Sequence, residues 1–169
     1  MSNSFLPDNY EAPKGGGGNY YKFQQGDNRF RILSKPIIGW LDWDSNNKPV
    51  RTPSNQPKPA PFNPSKAVKH FWAFIVWNYE SSSLMVMEVT QAGIQSQIQA
   101  LARDADWGSP FDYDIVVSKS GQDKETKYMV NPKPHKPITQ DMEAAMLSNR
   151  IDLEQLFTGG DPFMGGQQA

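Results

Sequence analysis

The chain has 169 residues, 37% of them hydrophobic and 12% aromatic, with no cysteine and two histidines. That length suits one domain with tails and can bury roughly 70% of its unfolded surface, while the missing cysteines exclude a disulfide framework and thiolate metal sites, and His70 and His135 leave a histidine zinc site short of ligands. The net charge of −1 conceals blocks of +6 over residues 29–70, −5 over 71–118, +3 over 119–138 and −4 over 139–169, a segregation that suits a polyanion-binding surface kept apart from an acidic C-terminus.

Residues 1–19 read as a flexible Gly-rich N-terminal arm, ending in Gly15-Gly16-Gly17-Gly18. The start, Met1 to Asp8, has neither the basic region nor the apolar run of a signal peptide. No stretch approaches the roughly 20 apolar residues of a membrane helix. A cytoplasmic protein is expected, with no membrane partner.

Asn28 to Leu33 alternates polar and apolar residues and predicts a half-buried strand, with Arg29 and Arg31 on one face and Phe30 and Ile32 on the other. After a bend at Pro36, Ile37 to Trp43 continues that strand or forms a second. Residues 48–70 hold six prolines, five Lys or Arg and no acid, and read as a long extended loop. Lys69 to Tyr79 (KHFWAFIVWNY) is the strongest strand, Ser81-Ser82-Ser83 a turn, and Leu84 to Val89 its hairpin partner. Thr90 is a candidate N-cap for a helix carrying Ile94, Ile98, Leu101 and Ala102, which ends by Gly108-Ser109-Pro110. Phe111 to Ser118 and Lys124 to Val130 form a last hairpin around Ser120-Gly121-Gln122-Asp123, and residues 131–137 (NPKPHKP) stop the sheet. Short helices follow around Gln140 to Leu147 and Leu153 to Phe157. Residues 158–169 read as disordered, so 139–169 is a region of short helices and an acidic, partly disordered tail.

This order predicts a mainly β fold over residues 20–138. A five-stranded OB-fold barrel, with one helix between its third and fourth strands, fits it. A different small β-barrel with one helix also fits.

Two readings of the aromatic strand stay open. Its Trp72 and Phe74 share a face ending in the polar His70 and Asn78, which suits exposed aromatics for stacking nucleobases. Alternatively the strand is buried on both sides. Trp40 and Trp43 divide between stacking and core packing in the same way, and Trp107 reads as structural. The basic residues gather in two places. Arg29, Arg31, Lys48, Arg51 and Lys69, with Lys58 and Lys66, surround the first strand and the long loop; Lys119, Lys124, Lys127, Lys133 and Lys136 lie on or near the last hairpin, whose second strand carries Tyr128. Asp104/Asp106 and Asp112/Asp114 are carboxylate pairs at i, i+2, and His70 and His135 have no local acid. No nucleophile–base, Walker A or Glu-x-x-His motif appears. No enzyme, metal or cofactor is expected.

The series NRFRIL, GWLDW, the Pro/Arg-containing loop, KHFWAFIVWNY, EVTQAGIQSQIQAL and WGSPFDYDIVVSKSG resembles bacteriophage single-stranded-DNA-binding proteins of OB-fold type, over roughly residues 20–137. The resemblance implies a non-catalytic protein that coats single strands during DNA replication and recombination. On that reading Arg29, Arg31, Lys48, Arg51, Lys69, Lys119 and Lys127 capture the backbone, and bases stack on Trp72 and Phe74, helped by Trp40, Trp43, His70 or Tyr128. The acidic tail with Asp161-Pro162-Phe163 would recruit replication proteins. The alternative is a protein-interaction module, an adaptor in a replisome or particle, whose aromatics form a protein interface.

Overall fold

The computed structural model describes residues 19–163. Of the arm expected over residues 1–19, residues 1–18 lie outside the described residues, as do residues 164–169 of the tail.

Two strands, β1 (Gly26–Ile32) and β2 (Ile37–Trp43), are successive halves of one run broken at Pro36. Proline lacks the N–H that a continuous ladder needs. Both halves lie along the same edge of β4 (Lys69–Asn78), with Ile32 opposite Val76 and Ile37 opposite Ala73. The outer edge of β2 carries β3 (Pro49–Pro53). On its other edge β4 pairs with β5 (Ser83–Val89). The free edge of β1 pairs with β6 (Tyr113–Ser120), and β6 with β7 (Lys127–His135). Every pairing between these strands is antiparallel.

Among the described residues the result is a mainly β fold built on one seven-stranded sheet that does not close on itself. The five-stranded barrel is therefore not confirmed. The extra strands arise from the break at Pro36 and from β3, which sits inside the segment expected to be plain loop. Prolines at both ends of β3 are tolerated because it is an edge strand. The same reason corrects the end of β7, which continues through Asn131 to His135 where the prolines predicted a stop. Pro132 and Pro134 lie on a strand with one neighbour, so no ladder bond is lost.

The helix α1 (Ala92–Arg103) falls between the β4–β5 and β6–β7 hairpins, in the predicted order. Its cap is Gln91 without a side-chain bond, not Thr90. Two of its glutamines bridge the strands on either side. The Gln97 amide donates to the Tyr128 carbonyl (3.1 Å) and accepts from the Val130 N–H (2.9 Å). The Gln95 amide donates to the carbonyls of His70 (3.1 Å) and Val89 (2.9 Å). Side-chain amides thus satisfy backbone groups left over where the sheet stays open.

Two cores form on the two faces of β4. Phe74 and Val76 point into the larger one with Phe30, Ile32, Met87, Tyr113, Ile115 and Val117, capped by Ile94 and Ile98 of α1. Phe71 and Ala73 point into the other with Leu41 and Val86. This second face is covered by the C-terminal segment, where α2 (Gln140–Ser148), capped by Thr139, precedes α3 (Gln155–Thr158) and brings Leu156 and Phe157 onto the sheet. Gly159, at φ 80°, ends α3, and the Phe163 ring meets Tyr20 edge-on at 6.3 Å. Within residues 158–163, expected to be disordered, Pro162 is buried and Phe163 packs against the second core. Among the described residues no helix is long and apolar enough to cross a membrane.

Candidate nucleic-acid interface

The end of β2 sets the site. Trp43 is its last residue, and the turn after it folds around Asp44, whose carboxylate accepts the N–H groups of Asn46 (2.9 Å) and Lys48 (2.9 Å). β3 then runs back along β2, and residues 54–68 cross over to rejoin the sheet at Lys69. One buried carboxylate ties that crossing segment down. Asp42, 6% exposed, accepts the Trp43 N–H at Oδ1 (2.8 Å) and the Phe62 N–H at Oδ2 (2.8 Å). It fixes the two aromatic residues relative to each other by their backbones.

Between them lies an open groove of about 750 Å³, lined by Trp43, Phe62, Asn47, Asn63, Lys66 and Lys69. Trp43 is 46% and Phe62 59% exposed. The two acids of the groove, Asp42 and Asp44, are engaged by backbone N–H groups, and no ion pair among the described residues uses Lys66 or Lys69. Exposed rings beside free ammonium groups offer stacking surface and positive charge together.

Next to the groove, Trp40 and His70 face each other across β2 and β4, their rings 5.1 Å apart, and the Lys58 ammonium stands 5.4 Å from the Trp40 ring. Trp40 Nε1 and His70 Nδ1 are buried without a hydrogen-bond partner among the described residues.

The remaining predicted site residues are elsewhere. Phe74 is 2% exposed inside the main core, so it offers no face to a base. Trp72 is half-buried against the same core, in an apolar cleft of about 300 Å³ with Ile98 and Phe111. The assignment of Phe74 to a stacking platform is corrected, since α1 covers that part of β4; Trp72 keeps part of its side chain exposed in the cleft. Arg51 binds Glu88 through Nε (2.6 Å) and Nη2 (3.2 Å) and lies over the Phe71 ring. Lys48 is exposed at the start of β3 and lines a different groove, with Tyr20, Lys22 and Asp161. Lys119 and Lys127 stand on the β6–β7 hairpin beside Gly26, opposite Tyr128 and Ser120, and neither lines the Trp43–Phe62 groove. Tyr128 packs against Phe23 (5.8 Å) and the core.

Arg29 and Arg31 converge on Asp114, which is fully buried. Arg31 is 1% exposed, and its guanidinium donates to the carbonyls of Phe111 (2.7 Å) and Lys136 (2.7 Å) as well as to Asp114, so it is withdrawn from any backbone contact. Burial pushes the Asp114 carboxyl up, but hydrogen bonds from Tyr79, Arg29 and Lys136 outweigh it and hold the group below the usual carboxylate range. Burial, then the bond to Asp114, push the Tyr79 hydroxyl well up.

Sequence reasoning missed Phe62. The available signal was an aromatic in a proline-rich segment with no alternating pattern to bury it. It also missed Asp114 as the centre of an ion-pair cluster; the signal was a carboxylate alternating with Tyr113 and Ile115 on an otherwise apolar strand. Among the described residues no group of His, Asp and Glu side chains gathers as a metal site. Comparison of the chain with models of known protein families, with curated proteins and with solved structures finds no match.

Proposed function

We propose that the chain binds single-stranded DNA without catalysis, through the groove between Trp43 and Phe62. The observation that carries this reading is two aromatic rings, 46% and 59% exposed, held by one buried carboxylate beside Lys66 and Lys69. Large exposed rings are uncommon on a surface that binds nothing. Bases stack on Trp43 and Phe62, each contributing about 1–3 kcal/mol, and Lys66, Lys69 and Lys58 take backbone phosphates. The element order supports an OB-type reading in which β1–β2 is one bent first strand, β4–β5 and β6–β7 are the two hairpins, and α1 lies between them. Coating of single strands in phage replication or recombination is the role that fits such a groove.

The test is fluorescence anisotropy of labelled poly-dT and a matched duplex, across salt concentrations and without magnesium. Preference for the single strand is expected, with log K falling against log salt at a slope of about −2, as three phosphate contacts require. Equal binding to duplex, or none at low salt, would overturn the reading.

A protein-interaction module is favoured by one separate observation. The cleft between α1 and the β1–β2 bend is lined by Trp72, Phe74, Ile98 and Phe111, with Phe111 37% and Ile38 38% exposed at the surface. Binding there would be much less sensitive to salt than binding to a phosphate backbone.

A further inference from the structure

The Asp114 cluster is unbalanced. One carboxylate meets three cations: Arg29 through Nε (3.0 Å) and Nη2 (2.8 Å), Arg31 through Nη1 (3.5 Å) and Lys136 through Nζ (3.2 Å), with the Tyr79 hydroxyl donating at 2.8 Å. No other acid among the described residues lies within ion-pair distance of those cations. A local excess of two positive charges remains, one of them on a guanidinium with only 2% of its side chain exposed. The other two heads face solvent, with side-chain exposures of 44% for Arg29 and 42% for Lys136. Crowding like charges around a buried site is costly unless a counter-charge offsets it.

The geometry of the two exposed heads suits a tetrahedral anion. Both bind the same oxygen, Asp114 Oδ2, at 2.8 and 3.2 Å, so they stand at most about 6 Å apart. Both also lie over the Tyr79 ring, at 5.4 and 5.5 Å from its centre. The ring and the carboxylate thus hold the heads side by side. The Lys136 ammonium has three N–H donors and the Arg29 guanidinium five, more than Asp114 takes up, so each can donate outward as well.

We propose that Arg29 and Lys136, positioned by Asp114 over Tyr79, form a binding site for a phosphate group. Tyr79 directly follows β4, and Lys69 of the groove is the first of its ten residues; that length of strand spans about 30 Å when extended. The site is therefore distinct from the groove. It takes a free phosphate, or a backbone phosphate of a bound strand that runs beyond the groove.

The test uses the full chain and inorganic phosphate, titrated at constant ionic strength against chloride and followed by amide shifts in two-dimensional NMR. Saturable shifts at Arg29, Tyr79 and Lys136 are expected, and they should vanish in Lys136→Gln. A parallel series measures the salt slope for poly-dT in wild type, Lys136→Gln and Arg29→Gln. A slope shallower by about 0.7 per variant assigns the site to the nucleic-acid backbone; saturable shifts with an unchanged slope assign it to free phosphate. Neither shifts nor a slope change overturns the proposal. Arg29→Gln removes a partner of a buried carboxylate, so Lys136→Gln, with its exposed head, decides the matter if the first variant does not fold. Failure of poly-dT to bind at all would overturn the groove reading, while the phosphate titration would still decide this site.

Discussion

Two pairs of aromatic residues, one along the sheet and one beside the proline-rich crossing, have different surroundings. Trp72 and Phe74 sit on β4, the strand with neighbours on both edges and cover on both faces, and they turn toward α1. Trp43 and Phe62 sit where β2 ends and where the proline-rich segment crosses back, and their rings reach solvent. What separates the pairs is what lies above each ring, since all four are large and apolar. A central strand keeps little free face once a helix and a C-terminal segment pack on it: Phe74 is buried and Trp72 shows only in the cleft beside α1. A strand end and a proline-rich crossing, with few backbone donors to pair, leave rings outside. The proposed stacking surface therefore lies in the least regular described segment.

Several substitutions would break or sharpen that contrast. The largest effect is expected from Asp114→Asn, which leaves Arg31 buried without its counter-charge and should cost about 3–5 kcal/mol in urea unfolding. Phe74→Ala empties the main core and should cost about 3–5 kcal/mol; a small loss of stability with a loss of DNA binding would return Phe74 to the site. Gly39→Ala is next. A Cβ there would run into the Thr52 carbonyl across the β2–β3 pair and crowd the Phe71 ring, so about 1–3 kcal/mol should be lost by thermal melting. Trp43→Ala and Phe62→Ala should each change stability by no more than about 0.5 kcal/mol, while poly-dT affinity falls. The smallest effect is in acid. The folded Asp114 carboxyl is held below its unfolded value near 4, so its contribution is intact above that value and is lost as pH falls through the lower folded one. The melting temperatures of wild type and Asp114→Asn should therefore converge below about pH 4.

Much of the sheet was legible because the signals were local. The alternation of Arg29, Phe30, Arg31 and Ile32 set both the strand and its buried face, and Ile94 and Ile98 set the inner face of α1. The count of strands was not legible, since β3 exists only through its pairing with β2, and its prolines argue against a strand until it is known to be an edge. The proposed binding face is half legible in the sequence. Trp43 and Lys69 were named, but Phe62 was not, because its exposure depends on a bond from its own N–H to Asp42, twenty residues earlier. Arg31 reads as a free cation in the sequence and becomes a buried one only when β1 pairs with β6 and meets Asp114.

The measurement that tests the central claim most directly is the affinity of poly-dT for wild type and for the Trp43→Ala/Phe62→Ala double variant, with melting temperatures taken on the same samples. The groove reading predicts a loss of about fivefold or more for each ring removed, at nearly unchanged melting temperature. Unchanged affinity in a folded double variant would contradict it and place the binding surface, if there is one, away from the groove.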